Sequence, residues 1–528
     1  MLAKIAARNN NFIIYSAICL IGFGLYFKSL FFGFTYLDDN ELVLNNLRFL
    51  QNPWYVFSAF FEDVFHTSFN SASYYRPLLT ISFIPEAILT GANSFLYHAA
   101  NMLIHIGAAC LAFKIFLKLN YSKTISIILG IIFLVHPTLA QAVSWIPGRN
   151  DSLLGFFIFA SFILFLNFIE KKGIKFLVWH SIFFAFAIFT KETALVFPVL
   201  CLAYLWAKEL LSKNIIIRLS ACWLVAILIW FILRYIGLNG QGAISAQEAA
   251  FSVIKNMPAS IQLLGKAFMP FNLSVLPIMQ DTTFVYGFFS ATIMALLAGL
   301  EIKNRQKPND NLRMMLFGAL WFALFLLPAF IKAPSSNPAD FIEHRLYVPI
   351  IGLFIIIAQS RIIKFIEINY RNWLLYSGVI IIIGFLTINF LHQNNFKNKM
   401  SFWQNAADNS PHSPLAQKNL GAMHYLEGNY YLSEKYSKKA LEINPYETMA
   451  HNNLGLVYAR AGRFEDAEKE YLKELSFNYS YDGGHYNLGL LYYRMGYVDE
   501  AKKEWEKTLE INSDYKDARI MLDSLNKK

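Results

Sequence analysis

The sequence predicts an all-α protein: a polytopic membrane helical bundle followed by a C-terminal α-solenoid. Three observations carry that expectation. The 528 residues are 56% hydrophobic and only 16% charged, whereas a water-soluble chain carries about 25% charge. Eleven apolar runs approach the length of a bilayer-spanning helix, about 20 residues. The C-terminal quarter repeats with a period of 34 residues. A single soluble domain is excluded, and so is disorder, which requires low hydrophobicity.

The apolar runs cover roughly 12–33, 95–117, 123–138, 152–169, 175–190, 193–211, 215–236, 283–300, 312–331, 346–360 and 373–391. The first follows Lys4 and Arg8, is too long for a signal peptide and has no small-residue cleavage site after it, so it reads as a retained anchor. Residues 77–90 are apolar but short and broken by Pro85, which suits a surface or re-entrant helix.

Charge sets the expected orientation. Residues 1–391 hold 28 Lys+Arg against 17 Asp+Glu, and 392–528 hold 18 against 19. With the N-terminus in the cytoplasm, the inner connections carry Lys4, Arg8, Lys114, Lys118, Lys123, Lys171, Lys172, Lys175, Lys208, Lys213, Arg218, Lys303, Arg305, Lys307, Arg313, Arg361, Lys364 and Arg371. That is 18 of the 28 cations, while 12 of the 17 acids fall outside, as the positive-inside rule requires. The long loops, 34–94 and 238–282, then face outward together with the C-terminal region. Short loops and the lack of a targeting sequence suit a bacterial or archaeal cytoplasmic membrane, with the repeats extracytoplasmic. The basic balance lies in connectors rather than on a clustered face, so nucleic-acid binding is not expected. Cys19, Cys110, Cys201 and Cys222 all sit in apolar segments without metal-ligand spacing.

Residues 1–391 thus form the expected membrane domain, 392–413 a linker with a lone helix, and 414–528 three repeats with a capping helix. Leu420-Gly421, Leu454-Gly455 and Leu488-Gly489 recur in phase, each preceded by Asn419, Asn453 or Asn487. Ser433, Ala467 and Ala501 mark the second helix of each unit. Small residues at this period are the tetratricopeptide signature, because they let paired helices touch. Their concave face suits an extended peptide or a partner protein; a spacer is the plainer reading.

On the outer side, Asp38-Asp39 follows the first span, and adjacent carboxylates are costly at a membrane surface. Alone they would read as a helix cap. They share that side with Arg76, with His136-Pro137, with Gly148-Arg149, with Lys191-Glu192 and with Glu343-His344-Arg345-Leu346-Tyr347. Each has a bland reading: Arg149 and Arg345 as interface anchors, Lys191-Glu192 as a self-satisfied pair, His136 as a helix-end cap. Together they read as a site.

The ordered set Asp38-Asp39, Tyr75-Arg76-Pro77-Leu78, His136-Pro137, Gly148-Arg149, Lys191-Glu192, Pro270-Phe271-Asn272-Leu273-Ser274 and Arg345-Leu346-Tyr347-Val348-Pro349 resembles the transmembrane-and-tetratricopeptide O-mannosyltransferases. These belong with the membrane glycosyltransferases of the GT-C fold. An acidic residue of the family pattern appears here as Gln141. The resemblance implies inverting transfer of a sugar from a polyprenyl-phosphate donor to an acceptor hydroxyl, a protein Ser or Thr. It implies a carboxylate base in the first outer loop, Asp39 or Asp38, with Asp39 slightly favoured. Arg76, Arg149, Lys191 and Arg345 would stabilise the departing lipid phosphate, with Arg345 and Arg149 first. His136, Glu192, Glu343 and Tyr347 would assist donor binding. Fixed cations make a divalent metal unnecessary, so no cofactor is expected. The expected partners are the lipid-linked sugar, membrane lipid and an acceptor protein held by the repeats. One competing reading is a transferase of the same fold acting on a lipid or surface glycan. Another is a scaffold or transporter; a transporter should show matched halves around a midplane site, and none is seen here.

Overall fold

A computed structural model describes residues 2–65, 74–240, 245–303, 310–331 and 343–526. Arg305 and Lys307 lie outside these residues, as do the side chains of Lys4, Arg8 and Lys303. Among the described residues the chain is helical and contains no β-strand.

Two compact units emerge: residues 1–275 with 282–398, and residues 399–528 with the short stretch 276–281. In the first unit all eleven apolar runs fold as helices. Seven of these helices are long and apolar enough to cross a membrane, among them Asn11–Phe31, Ser94–Lys118, Ile146–Lys171 and Arg371–Phe396. The pair Lys123–Val135 and Pro137–Ser144 makes an eighth, bent by 46° where Pro137 supplies no amide hydrogen to continue the helix. Ile174–Thr190, Glu192–Ala207 and Ile350–Gln359 are shorter than a full span. Lys191-Glu192 separates the first two of these, and Pro349 and Ser360 bound the third. Among the described residues the eleven runs thus give seven helices of spanning length, or eight if the bent pair is one span.

The helix Pro77–Thr90 starts with Pro at its first turn and carries Pro85 inside. It buries Phe83, Ile84 and Ala87 against the first-loop residues Leu42, Val43, Leu50 and Tyr55. Leu89 on its other face is 72% exposed. The first outer loop is therefore a folded layer with its own apolar core, and Ile146 reaches into that core from the start of the third long helix. This layer positions Asp38, Asp39 and Arg76.

In the second unit, Pro414–Leu426 with Tyr430–Ile443, Ala450–Arg460 with Phe464–Phe477, and Asp482–Met495 with Val498–Ile511 form three helix pairs. Lys399–Asn409 precedes them and Lys516–Asn526 follows. A Cβ on Gly455 would lie 2.5 Å from the Tyr471 ring, and one on Gly489 2.5 Å from the Trp505 indole nitrogen. Only glycine permits those helix contacts. One role also recurs in phase. His451 and His485 each hydrogen-bond the loop before their own helix, through the carbonyls of Pro445 and Tyr479. Each also pairs with a glutamate of the following helix, Glu470 or Glu504. Residues 276–281 belong to this unit: Ser410 Oγ donates to the Leu276 carbonyl at 2.8 Å, and Asp281 accepts from the His412 amide at 3.0 Å and meets its ring at 2.5 Å.

Candidate active site

The first outer loop turns sharply at Tyr36, whose φ is 59°. The turn brings Thr35 onto Asp39, whose carboxylate accepts from the Thr35 amide at 2.5 Å and its hydroxyl at 2.8 Å. The Trp145 indole donates to the same carboxylate at 3.0 Å. Asp39 is buried, and these donors only partly offset the upward push of burial on its carboxyl. Asp38 differs from it. It is half-buried, and among the described residues its carboxylate forms no hydrogen bond. Burial, then repulsion from Asp39, pushes its carboxyl up to about 6 against the opposing field of Arg76.

Arg76 acts on Asp38, and Lys191 and Arg345 stand with it about Asp151. The Arg76 guanidinium grips Glu192 through Nη2 at 2.7 Å and Nε at 3.2 Å and lies 4.4 Å over the Tyr74 ring. With its amide oriented to suit its neighbours, Asn150 accepts from Arg76 Nη1 at 2.9 Å. Lys191 Nζ spans both oxygens of Asp151, at 2.8 and 2.9 Å, and His344 Nε2 lies 3.3 Å from the same carboxylate. Burial, partly offset by Asp151, lowers the proton affinity of both Lys191 and His344. Arg345 donates to the Ala329 carbonyl at 3.2 Å and shares a narrow cleft with Asp151, Lys191 and Thr193. Trp145 joins the two halves: its nitrogen bonds Asp39, and its ring packs 5.8 Å from that of His344.

Four residues singled out in the sequence lie in the wall around this cluster. Arg149 is fully buried. Its guanidinium donates to Asn101 Oδ1 at 2.6 Å and to the carbonyls of Ser82 at 2.6 Å and Tyr97 at 2.9 Å, and it pairs with Glu86 at 2.8 Å. It locks the Pro77–Thr90 helix to the bundle and turns no donor to the cleft. His136 is equally occupied, bonding the Ala267 carbonyl at 3.0 Å and the Thr138 hydroxyl at 2.8 Å. The Tyr347 hydroxyl meets His105 at 2.7 Å inside the bundle, and the ring fills the space Gly155 leaves. Glu343 sits 3.3 Å from Lys266 and accepts from the Ser274 amide at 3.3 Å; burial raises its carboxyl despite that lysine. Gln141 donates to the Val275 carbonyl at 3.0 Å.

The sequence reading assigns no role to Asp151, the cluster's centre, which stands in the stretch Trp145–Asp151 that opens a span, nor to His344 or Lys266. Asp151 was legible only as an acid in the first turn of a helix, where the dipole favours one. Lys266 donates to the Phe271 carbonyl at 2.6 Å and to that of Asn272, and so holds the Pro270–Ser274 segment to Glu343. Among the described residues no group of three or more His, Cys, Asp or Glu is arranged as metal ligands.

Residues 438–482 and 483–515 each match a tetratricopeptide-repeat family. Protein O-mannosyl-transferase TMTC3 of Mus musculus is 23% identical over 470 residues, covering 79% of this chain and 49% of that protein. Protein O-mannosyl-transferase tmtc2 of Xenopus laevis is 29% identical over 160 residues, 30% of this chain and 19% of that protein. Protein O-mannosyl-transferase F38B6.6 of Caenorhabditis elegans is 30% identical over 132 residues, 24% and 19% of the two chains. The chain spans about half the length of the TMTC3 relative it matches over the longest stretch. The resemblance carried by the ordered motifs, to O-mannosyltransferases, agrees with the names of these relatives.

Proposed function

We propose that the chain is a membrane glycosyltransferase that moves one sugar from a polyprenyl-phosphate donor to a Ser or Thr hydroxyl of a protein, with inversion. The observation that carries this reading is a carboxylate without a hydrogen-bond partner among the described residues, Asp38, set within the field of Arg76. Its proton affinity near pH 6 suits a general base. The acceptor oxygen attacks the anomeric carbon and yields its proton to Asp38. The bond from that carbon to the phosphate oxygen breaks, and the phosphate departs on its lipid with an added negative charge. Arg345, Lys191 and Arg76 face that charge. They are held in place beforehand by Ala329, Asp151 and Glu192, and preorganised charge of this kind stabilises a transition state with little reorganisation.

Asp39 takes a positioning role in this scheme. With Trp145 it fixes the loop that presents Asp38. Mannose is the first sugar to try, because the relatives are named for its transfer. Protein is preferred to lipid or glycan as acceptor because the repeats supply a peptide-sized face. The site is taken to face away from the cytoplasm, on the charge asymmetry of the loops, and to work without a divalent metal. The test is transfer from synthetic polyprenyl-phosphate mannose to a Ser/Thr peptide by the purified chain and by Asp38→Asn. Transfer by the wild type that collapses in the variant supports the reading; equal rates reject it.

A further inference from the structure

A cavity of about 260 Å³ lies within the first unit, between the helices Lys123–Val135, Ile350–Gln359 and Arg371–His392. Ser377 is the one polar side chain among the described residues that line it. Ser377 and Ile381 are exposed on its rim, so the cavity opens at the flank of the bundle. Its end toward the candidate site is shut. The His136 ring packs 4.8 Å from that of Phe385 and bonds the Ala267 carbonyl, and the Arg345 cleft is lined by other residues. Its far end carries two marks of a membrane surface. Tyr370, Trp373 and Tyr376 are exposed there, as in the aromatic belts at head-group depth. The helix Arg361–Asn369 turns Ile362, Phe365 and Ile368 outward, the one-sided spacing of a helix that lies in the interface, and its Ile363 helps to line the cavity. Two cations stand at this mouth. Arg371 donates to the Thr124 hydroxyl at 3.0 Å, and Lys123 is the residue before Thr124. Both are exposed, and neither is in an ion pair among the described residues. The lining residues Ile125 and Leu374 follow them within a turn. The neighbouring acids are engaged: Glu367 accepts from the Ser122 hydroxyl, and Glu301 takes Arg361 at 2.9 Å. Lys364 donates to Asn311 at 2.8 Å.

We propose that this cavity holds an acyl chain of an anionic phospholipid whose head group is met by Arg371 and Lys123. A hydrocarbon wall suits the chain, and basic residues at the mouth of a pocket between spans suit an anionic head group. A zwitterionic lipid would bring its own cation to the same mouth and gain less. In the orientation proposed above, this end meets the cytoplasmic leaflet, where anionic lipids concentrate. The lipid site rests on the cavity and its two cations and not on the transfer chemistry, so the two proposals fail separately.

The test uses the full chain, delipidated in detergent, with dioleoyl phosphatidylglycerol or dioleoyl phosphatidylcholine added in steps. Native mass spectrometry reads the first lipid bound. Phosphatidylglycerol should bind at least about tenfold more tightly than phosphatidylcholine, as two cations at the surface allow. Arg371→Gln with Lys123→Gln should erase that preference. Lys213→Gln, on a helix that contributes nothing to the described lining, should keep it. Ser377→Trp fills the rim and should weaken both lipids severalfold, because less of the chain is buried. Asp38→Asn should bind as the wild type does. The Lys123 side chain makes no hydrogen bond among the described residues, so Lys123→Gln alone gives a reading if the double variant fails to fold. Equal binding of the two lipids, a preference that survives the Gln variants, undiminished binding by Ser377→Trp, displacement by polyprenyl phosphate as effective as by phosphatidylglycerol itself, or no lipid retained would each overturn the proposal.

Discussion

Replacing Asp38 by Asn keeps the shape of the side chain and removes its capacity to take a proton. A positioned general base contributes about 10²–10⁴ in rate, or about 2.7–5.5 kcal/mol of barrier. We therefore expect kcat to fall by about 100-fold to 10 000-fold. The donor KM should change little, because Asp38 is not among the groups facing the phosphate. The base works only when ionised. With its carboxyl near 6, the wild-type rate should rise about tenfold per pH unit up to about pH 6 and level off above it. In Asp38→Asn that limb should vanish. Asp39→Asn should behave differently. Its carboxylate receives the Thr35 amide, the Thr35 hydroxyl and the Trp145 indole; an amide turns an NH2 toward those donors, at a cost of about 1–3 kcal/mol. That variant should melt earlier and retain the pH limb in whatever activity remains. The assay is transfer from polyprenyl-phosphate mannose to a Ser/Thr peptide, followed by mass spectrometry across pH 4.5–8.5 (about four units, enough to frame one titration). Asp38→Asn within about threefold of wild type at pH 7.5, or a pH limb that survives in it, would refute the assignment.

Other outcomes follow from the same geometry. Asp151→Asn leaves half-buried Lys191 and buried His344 without their carboxylate; breaking a buried pair from one side costs about 3–5 kcal/mol, so thermal melts in detergent should show a large downward shift. Arg149→Lys cannot reproduce a guanidinium serving Glu86, Asn101, Ser82 and Tyr97 at once. It should lower the melting temperature while the remaining activity keeps the wild-type pH profile. Treatment with EDTA should leave transfer within about twofold, because the phosphate charge is met by fixed cations; loss restored by added Mn²⁺ or Mg²⁺ would contradict that.

The fold class was legible because its signals are local. Apolar length marks a helix in lipid whatever its neighbours are, and a 34-residue period repeats one packing solution. Span counts were less legible, because the run at 193–211 spends its first residues in a tight turn and the run at 346–360 holds only the ten-residue helix Ile350–Gln359. In the candidate site, polar residues stood out against an apolar chain, but their partners did not. Arg76 and Arg149 look alike in sequence. Only the packed structure shows one over Tyr74 beside Glu192 and the other sealed among backbone carbonyls. Asp151 carries no assigned role in the sequence because an acid in a helix's first turn is ordinary, and the lysine that makes it a hub is 40 residues away.

The stretch 276–281 makes the repeat unit a borrower. Its Leu276 carbonyl and Asp281 carboxylate are supplied from well upstream, to Ser410 and His412. A protein ended at residue 398 keeps the splint and discards everything it braces. A fragment begun at 399 keeps the solenoid and loses the splint. Domain swaps between relatives should therefore carry both stretches together, and a defect caused by cutting at that junction reports a severed brace as much as a missing partner-binding surface.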